Sequence, residues 1–308
     1  MSILIDADTT FIVQGITGRE AVNLTRECLD YGTGAKIVGG VTPGRLGRDV
    51  HGVPVFDTVA QAVAHHGRPI DGSVVTVPPA FTKDAVLEAI DNGVKLVVIV
   101  TERIPRQDVA QMVEFAGEHG ARIIGPNCLG IIVPDVIKMG GIGGPAKDAA
   151  KSYKPGTVGV ISRSGGMTTE MSTTLSAAGL GQSTAVSIGG DAIIGSTYAE
   201  LMPLFEADPE TEGIVIYTEP GGRMEAELAR WVTDNDCTMP IVAFMAGRFM
   251  DDMPGMSFGH AGTIVEGKED TAAEKILRLA EAGITVAEEI SEIPQIMKSK
   301  LDAIRSAA

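Results

Sequence analysis

At 308 residues the chain is long for one ordinary domain and suits two of about 150 residues each. Hydrophobic residues make up 44% and charged residues 21%, with 38 glycines gathered near apparent strand ends, which is the profile of a globular α/β enzyme and excludes a disordered chain. The formal net charge of −15, from 40 acidic and 25 basic residues, argues against nucleic acid or an anionic membrane as a partner, so an anionic ligand has to be held by local groups.

Three cysteines, Cys28, Cys128 and Cys237, stand far apart with neither disulfide-framework nor zinc-site spacing, which suits a reducing compartment. The start, Met1-Ser2-Ile3-Leu4-Ile5-Asp6, lacks a basic region followed by an apolar core, and no run approaches the length of a membrane span. A cytoplasmic protein without a targeting segment is expected.

In chain order, apolar β-rich runs at 11–14, 36–41, 73–77, 96–100 and 122–124 alternate with amphipathic stretches at 19–30, 57–65, 82–92 and 106–119. This βαβα rhythm predicts a parallel, doubly wound sheet. Between Pro134 and Pro155 the periodicity fails, and Met139-Gly140-Gly141-Ile142-Gly143-Gly144-Pro145 is strong loop punctuation, so the domain junction is expected there. The rhythm resumes with strands at 157–161, 184–188, 213–217, 241–244 and 284–286. Helices fall between them at 167–178, 197–207, 224–235 and 271–282, and a terminal helix follows at 290–306.

The first strand runs straight into Gln14-Gly15-Ile16-Thr17-Gly18-Arg19-Glu20 and a helix, where glycines and a helix N-terminus can receive a phosphate. The full GxGxxG pattern is missing because Thr17 stands in place of its second glycine. The second strand ends Gly39-Gly40-Val41-Thr42-Pro43-Gly44-Arg45, without the carboxylate that NAD proteins place there. Arg45 favours a ligand carrying a phosphate at that point, NADP or coenzyme A, and Val100-Thr101-Glu102 offers a hydroxyl and a carboxylate at the same sheet edge.

The second half ends four strands in polar or glycine loops: Ser162-Arg163-Ser164-Gly165-Gly166, Gly189-Gly190-Asp191, Glu219-Pro220-Gly221-Gly222 and Ala246-Gly247-Arg248. Ser164, Gly165 and Gly166 open a helix and are expected to aim N–H groups and a hydroxyl at an anion. His260 lies in the run Ser257-Phe258-Gly259-His260-Ala261-Gly262-Thr263. The other four histidines (His51, His65, His66, His119) fall in segments that read as surface loops or helix ends. Glu219 is the expected partner of His260, since a carboxylate on one ring nitrogen fixes the tautomer and leaves the other free as nucleophile. There is no GxxxxGK[ST] run, HExxH, GxSxG or kinase glycine loop, so a phosphoryl group reaching His260 comes from a nucleotide on a second subunit.

The motifs Gln14-Gly15-Ile16-Thr17-Gly18, Val38-Gly39-Gly40-Val41-Thr42-Pro43-Gly44, Ile124-Gly125-Pro126-Asn127-Cys128, Ser162-Arg163-Ser164-Gly165, Ile188-Gly189-Gly190-Asp191 and Gly259-His260-Ala261-Gly262 occur in order over essentially the whole chain. They resemble the α subunits of the succinate–CoA ligase family. The resemblance implies a Rossmann-like CoA-binding domain at 1–140 and a flavodoxin-like ligase domain at 150–308 carrying a phosphohistidine. It also implies an ATP-grasp β subunit, in an αβ or α2β2 assembly, that holds ATP or GTP with Mg²⁺. By the same resemblance His260 carries phosphate and Glu219 orients it, while Ser164, Gly165 and Gly166 cradle it. Coenzyme A contacts fall on Thr17, Gly18, Arg19, Glu20, Arg45, Val100, Thr101 and Glu102, and the carboxylic acid lies near Asn127, Cys128 and Thr169.

Thr169 stands where the family commonly has a tyrosine associated with the acid, and Leu129 stands where its asparagine–cysteine loop commonly continues with proline. The stretch from Arg248 to Phe258 is likewise unlike the common basic, shorter loop. The acid is therefore succinate or another short carboxylate such as malate, citrate or acetate. A CoA-binding regulatory module without turnover is the alternative from another class.

Overall fold

The computed structural model describes residues 2–307; Met1 and Ala308, the outer ends of the two expected domains, lie outside the described residues. The chain opens with β1 (Thr10–Gln14), α1 (Arg19–Leu29), β2 (Lys36–Val41), β3 (Asp49–Val50), β4 (Val53–Phe56), α2 (Val59–His66), β5 (Gly72–Val75), α3 (Pro79–Asp91), β6 (Leu96–Ile99), α4 (Arg106–Glu118) and β7 (Arg122–Ile124). It continues with β8 (Gly130–Val133), β9 (Ile137–Met139), α5 (Ala146–Ser152), β10 (Pro155–Ser162), α6 (Gly165–Ala177), β11 (Gln182–Ser187), α7 (Tyr198–Glu206), β12 (Gly213–Thr218), α8 (Met224–Asp234), β13 (Ile241–Met245), α9 (Ala272–Glu281), β14 (Thr285–Ala287) and α10 (Ile293–Ala307).

Two sheets result. In the first, β4-β2-β1-β5-β6-β7 run parallel, with β3 antiparallel on the outer edge. Counting only the parallel strands, this is the 3-2-1-4-5-6 order of dinucleotide-type folds. In the second, β11-β10-β12-β13-β14 are parallel in the 2-1-3-4-5 order of flavodoxin-like sheets. The strands β1, β11 and β12 are buried along their whole length, as expected when helices cover both faces of a parallel sheet. Helix starts follow local chemistry: Thr58, Ser164, Thr197 and Thr271 each accept an N–H of their own first turn, and Thr197 completes a capping box with Glu200.

The junction lies earlier than the expected stretch from Pro134 to Pro155. Strands β8 and β9 fall inside the expected first domain, yet they form a hairpin whose first strand pairs antiparallel with β11, at the edge of the second sheet. The chain therefore crosses over around Gly125–Leu129, directly after β7. One core cluster joins the two halves there, with Ile124, Cys128 and Ile131 packed among residues of both sheets. Among the described residues no helix is long and apolar enough to cross a membrane.

Burial also sets the alkaline limit of the fold. Removal from water pushes the thiol of Cys28 up to about 11 and that of Cys128 up to about 12. The Tyr31 phenol is pushed up to about 12, and those of Tyr153, Tyr198 and Tyr217 are raised as well, in each case chiefly by burial. These groups keep their protons in the folded chain at a pH where the unfolded chain has lost them. Stability is then fully present below the unfolded values of 9.0 and 10.0 and falls as pH rises through the folded ones. Lys138 works the other way, because burial lowers its value, but it is one group against several. Thermal midpoints should hold steady up to about pH 8.5 and drop steeply by pH 11. A midpoint unchanged across that range in a pH series would contradict this account.

Candidate active site

The first sheet changes direction between β1 and β5, and an open α/β sheet binds its ligand at such a switch point. A cleft of about 650 Å³ lies there, lined by Gly15, Thr17 and Gly18 after β1, Thr42 after β2, and Thr76 and Phe81 after β5. The start of α1 at Gly18 has no side-chain cap, so its first N–H groups point outward without a covering side chain. The Thr17 hydroxyl lies 3.3 Å from that of Thr42, joining two walls of the cleft. A diphosphate with an apolar arm fits such a lining, with glycine backbone and a helix N-terminus at one end and apolar surface at the other.

The other residues expected to contact the ligand are spread more widely. Arg19 and Glu20 pair with each other at 3.2 Å on the surface. Arg45 is exposed on the loop after β2, whose backbone is tied by the Asp57 carboxylate accepting the N–H groups of Arg45 and Leu46. The Thr101 hydroxyl donates to the Val77 carbonyl at 2.7 Å and so braces two loops, while Val100 sits half-buried beside it. Glu102 turns toward a second cavity of about 270 Å³ between the two sheets.

That second cavity is lined by Glu102 and Arg103 from the first sheet's edge, Asn127 from the crossover, Asp191 from the loop after β11, and Gly259 and Ala261, the neighbours of His260. Asn127 adopts a left-handed backbone (φ 56) and donates from its amide to Asp191 at 3.0 Å, bridging the two domains. Cys128 and Thr169, expected beside it, do not line this cavity. The Cys128 side chain is buried and donates to the Ile99 carbonyl at 3.3 Å, so it packs the crossover. Thr169 shares a 2.9 Å hydrogen bond with the buried Tyr153 hydroxyl, so its own hydroxyl is engaged by a neighbouring protein group. Leu129 packs against the start of α6, where a Cβ on Gly165 would fall 2.2 Å from its Cγ.

In the second sheet β10, β11, β12 and β13 are all parallel, so the four loops that follow them emerge at one edge. His260 is held there. Its Nδ1 lies 2.8 and 3.0 Å from the two oxygens of Glu219, which follows β12 and is 8% exposed. A carboxylate only accepts, so in the neutral imidazole the proton sits on Nδ1 and the Nε2 lone pair is free. Gly190 packs under the ring: a Cβ there would fall 2.4 Å from Cγ and Cδ2 of His260. The buried Thr263 hydroxyl lies within 2.7 Å of the carbonyls of Phe258 and His260 and closes the turn that presents the ring.

At the start of α6 the Ser164 side chain caps its own helix, accepting from Met167, and its N–H donates to Ser162 Oγ. The hydroxyl expected to face an anion is therefore engaged locally, while Gly165 and Gly166 supply the helix-terminal N–H groups. Arg163, almost wholly buried, donates to the carbonyl of Asp191 at 3.0 Å and lies against Gly262, so it underpins the histidine loop. Its role was not anticipated from sequence.

Comparison with known proteins agrees with this division. Residues 6–103 match the model of the CoA binding domain and residues 161–285 that of CoA-ligase. A Rossmann-order CoA-binding domain followed by a flavodoxin-order ligase domain places the protein among the CoA-ligases. The chain is 41% identical over 302 residues to succinate–CoA ligase [ADP-forming] subunit alpha 1 of Archaeoglobus fulgidus, covering 98% of this chain and 99% of that one. It is 42% identical over 293 residues to the alpha subunit of the same name from Staphylococcus aureus, covering 95% and 93%. The chain belongs to the succinate–CoA ligase α-subunit family. Among solved structures, ATP citrate lyase from Methanothrix soehngenii superposes with a TM-score of 0.90 at 24% identity, over 99% of this chain and 51% of that one. The acetyl-coenzyme A synthetase 1 of Ca. Korarchaeum cryptofilum gives 0.74 at 20% identity, over 95% and 61%. These two share the fold, and this chain spans about half to three-fifths of their length.

Proposed function

We propose that this chain is the phosphoryl-carrying subunit of an ADP- or GDP-forming acid–CoA ligase, with succinate as the leading acid. The observation that carries the reading is the His260–Glu219 pair, with Nδ1 engaged by the carboxylate and Nε2 left as the nucleophile. Nε2 attacks the γ-phosphorus of a nucleotide, the bond to the β-phosphate oxygen breaks, and the nucleoside diphosphate leaves. A carboxylate oxygen of the acid then takes the phosphoryl group from Nε2, giving an acyl phosphate. The thiolate of coenzyme A attacks its acyl carbon and inorganic phosphate departs, and every step is reversible.

Bond formation at Nε2 places positive charge on the ring, which the neighbouring carboxylate stabilises. The N–H groups of Gly165 and Gly166 face the arriving negative charge, and the cavity bounded by Asn127, Arg103 and the neighbours of His260 receives the acid. Coenzyme A is held in the cleft at Thr17 and Gly18, with Arg45 reaching it from the exposed loop that continues from the lining residues Thr42 and Pro43. The nucleotide and Mg²⁺ belong to an ATP-grasp β subunit, in an αβ or α2β2 complex of the cytoplasm. The absence of a nucleotide motif in the sequence and the three unpaired cysteines support this setting.

Incubating the complex with γ-labelled ATP, then with an acid panel, tests the reading. Acid-labile label on His260, discharged by an acid together with coenzyme A, is expected; a His260→Ala complex that still takes up label would end the proposal. For the cleft, Arg45→Glu is expected to weaken coenzyme A binding by about 10- to 100-fold, the worth of one charge-assisted contact. Labelling of His260 should be untouched and the effect should shrink with salt. Titration calorimetry showing equal affinity for both proteins would remove Arg45 from the cleft's function.

A further inference from the structure

Two charges beside the site have no part in the chemistry so far. Glu225 on α8 and Lys275 on α9 are buried (0% and 2% exposed) and meet at 2.6 Å. Each occupies a slot on the buried face of its helix, Glu225 in line with Leu228 and Val232, and Lys275 with Ala272 and Leu279. Apolar side chains of similar volume usually pack two helices as well as a buried ion pair does. The pair therefore answers to something other than helix packing.

The ammonium group has three protons and finds three acceptors: Glu225 Oε2, the Glu219 carbonyl at 3.0 Å and the Gly221 carbonyl. The second carboxylate oxygen of Glu225 accepts from the Thr218 hydroxyl, at the last residue of β12. Both carbonyls lie just past the end of β12, on either side of Pro220, where the strand ladder no longer supplies donors. Gly221 is pinned further, with its N–H donating 2.9 Å to Asp270 and its left-handed backbone (φ 86) pressed against Gly262 and Ile264 of the histidine loop. An apolar residue in place of Lys275 would leave the two carbonyls without this donor.

We propose that Lys275 and Glu225 are positioning residues: the ion pair fixes the backbone on both sides of Pro220 and so aims the Glu219 carboxylate at His260 Nδ1. Neither side chain touches a substrate, and the inference rests on the reading of His260 as the phosphoryl carrier.

The test is the double variant Glu225→Leu/Lys275→Met in the full chain with its partner subunit, which replaces the pair by apolar volume and keeps the helix packing. Its coenzyme A affinity should match the wild type, because the cleft lies in the other domain, and its thermal midpoint should fall only by what the two carbonyls lose with their donor. Imidazole ¹⁵N NMR of the chain alone should show His260 as the single Nδ1–H tautomer in the wild type and as a mixture in the variant. Single-turnover labelling should slow at least tenfold with the nucleotide KM unchanged. An unchanged tautomer together with labelling within twofold of wild type would overturn the inference. The spectrum needs no phosphoryl donor, so a wild-type complex that fails to label defeats the proposed function while the tautomer still decides the clamp. Should the variant fail to fold, hydrogen exchange in the wild type decides: the Gly221 amide is expected to exchange only with global unfolding, and exchange at the rate of exposed loops would refute the clamp.

Discussion

Replacing Glu219 by glutamine is expected to slow phosphorylation of His260 by about 10³- to 10⁴-fold while leaving the fold and coenzyme A binding intact. The side chains are nearly isosteric, and Glu219 is mostly buried against the ring, so volume is preserved. What changes is the hydrogen-bond chemistry. The carboxylate can only accept, which forces the proton onto Nδ1 and exposes the Nε2 lone pair; an amide can turn its NH₂ toward Nδ1 and stabilise the tautomer in which Nε2 carries the proton. The amide also lacks the charge that offsets the positive ring formed as the P–N bond is made. Both losses fall on the same step, so the effect belongs in the rate of a single turnover and not in nucleotide affinity. Labelling within about threefold of wild type would mean that Glu219 is a structural neighbour and not the orienter.

The two-sheet organisation was legible because its strands are short apolar runs buried on both faces, set between helices with clear polar faces and threonine or serine caps. The histidine and its carboxylate were legible for a related reason: each follows a strand of one parallel sheet, and parallel strands deliver their loops to one edge. The hairpin of β8 and β9 was not, because its strands are only four and three residues long and one of them carries Lys138. That lysine is buried, with its ammonium group on the carbonyls of Ile142 and Gly144, whereas a lysine in sequence reads as surface. Glu225 and Lys275 hid behind the same assumption. Their signal was present, a charge at an apolar-face position on each of two helices, but pairing them required knowing that α8 and α9 pack together. The side chains expected around the ligands fared unevenly because sequence places a residue on a loop but not the direction of its side chain. Thr101, Ser164, Cys128 and Thr169 all spend their polar atoms on neighbouring protein groups.

Adjacent glycines after β11 should separate damage to the site from damage to the fold. A Cβ on Gly190 would fall 2.4 Å from the His260 ring and 2.8 Å from its Nδ1, and the backbone there is not in the left-handed region. Gly190→Ala should therefore fold normally and push the imidazole off Glu219. A displacement of about 1 Å at a reacting group costs on the order of 10²-fold in rate, and that is the expected loss of labelling. Gly189 differs in both respects. Its φ is 100, and a Cβ would fall 2.0 Å from the Pro126 carbonyl, a backbone atom of the crossover that cannot rotate away. Gly189→Ala should cost about 3 kcal/mol in stability, from the strained backbone and the clash together. The molecules that remain folded should label at close to the normal rate, because the ring itself is not touched. Denaturation curves and single-turnover labelling of the two variants give the answer together. If Gly190→Ala lowers stability and Gly189→Ala does not, or if Gly190→Ala labels normally, the imidazole is not seated against Gly190 and its contact with Glu219 needs another support.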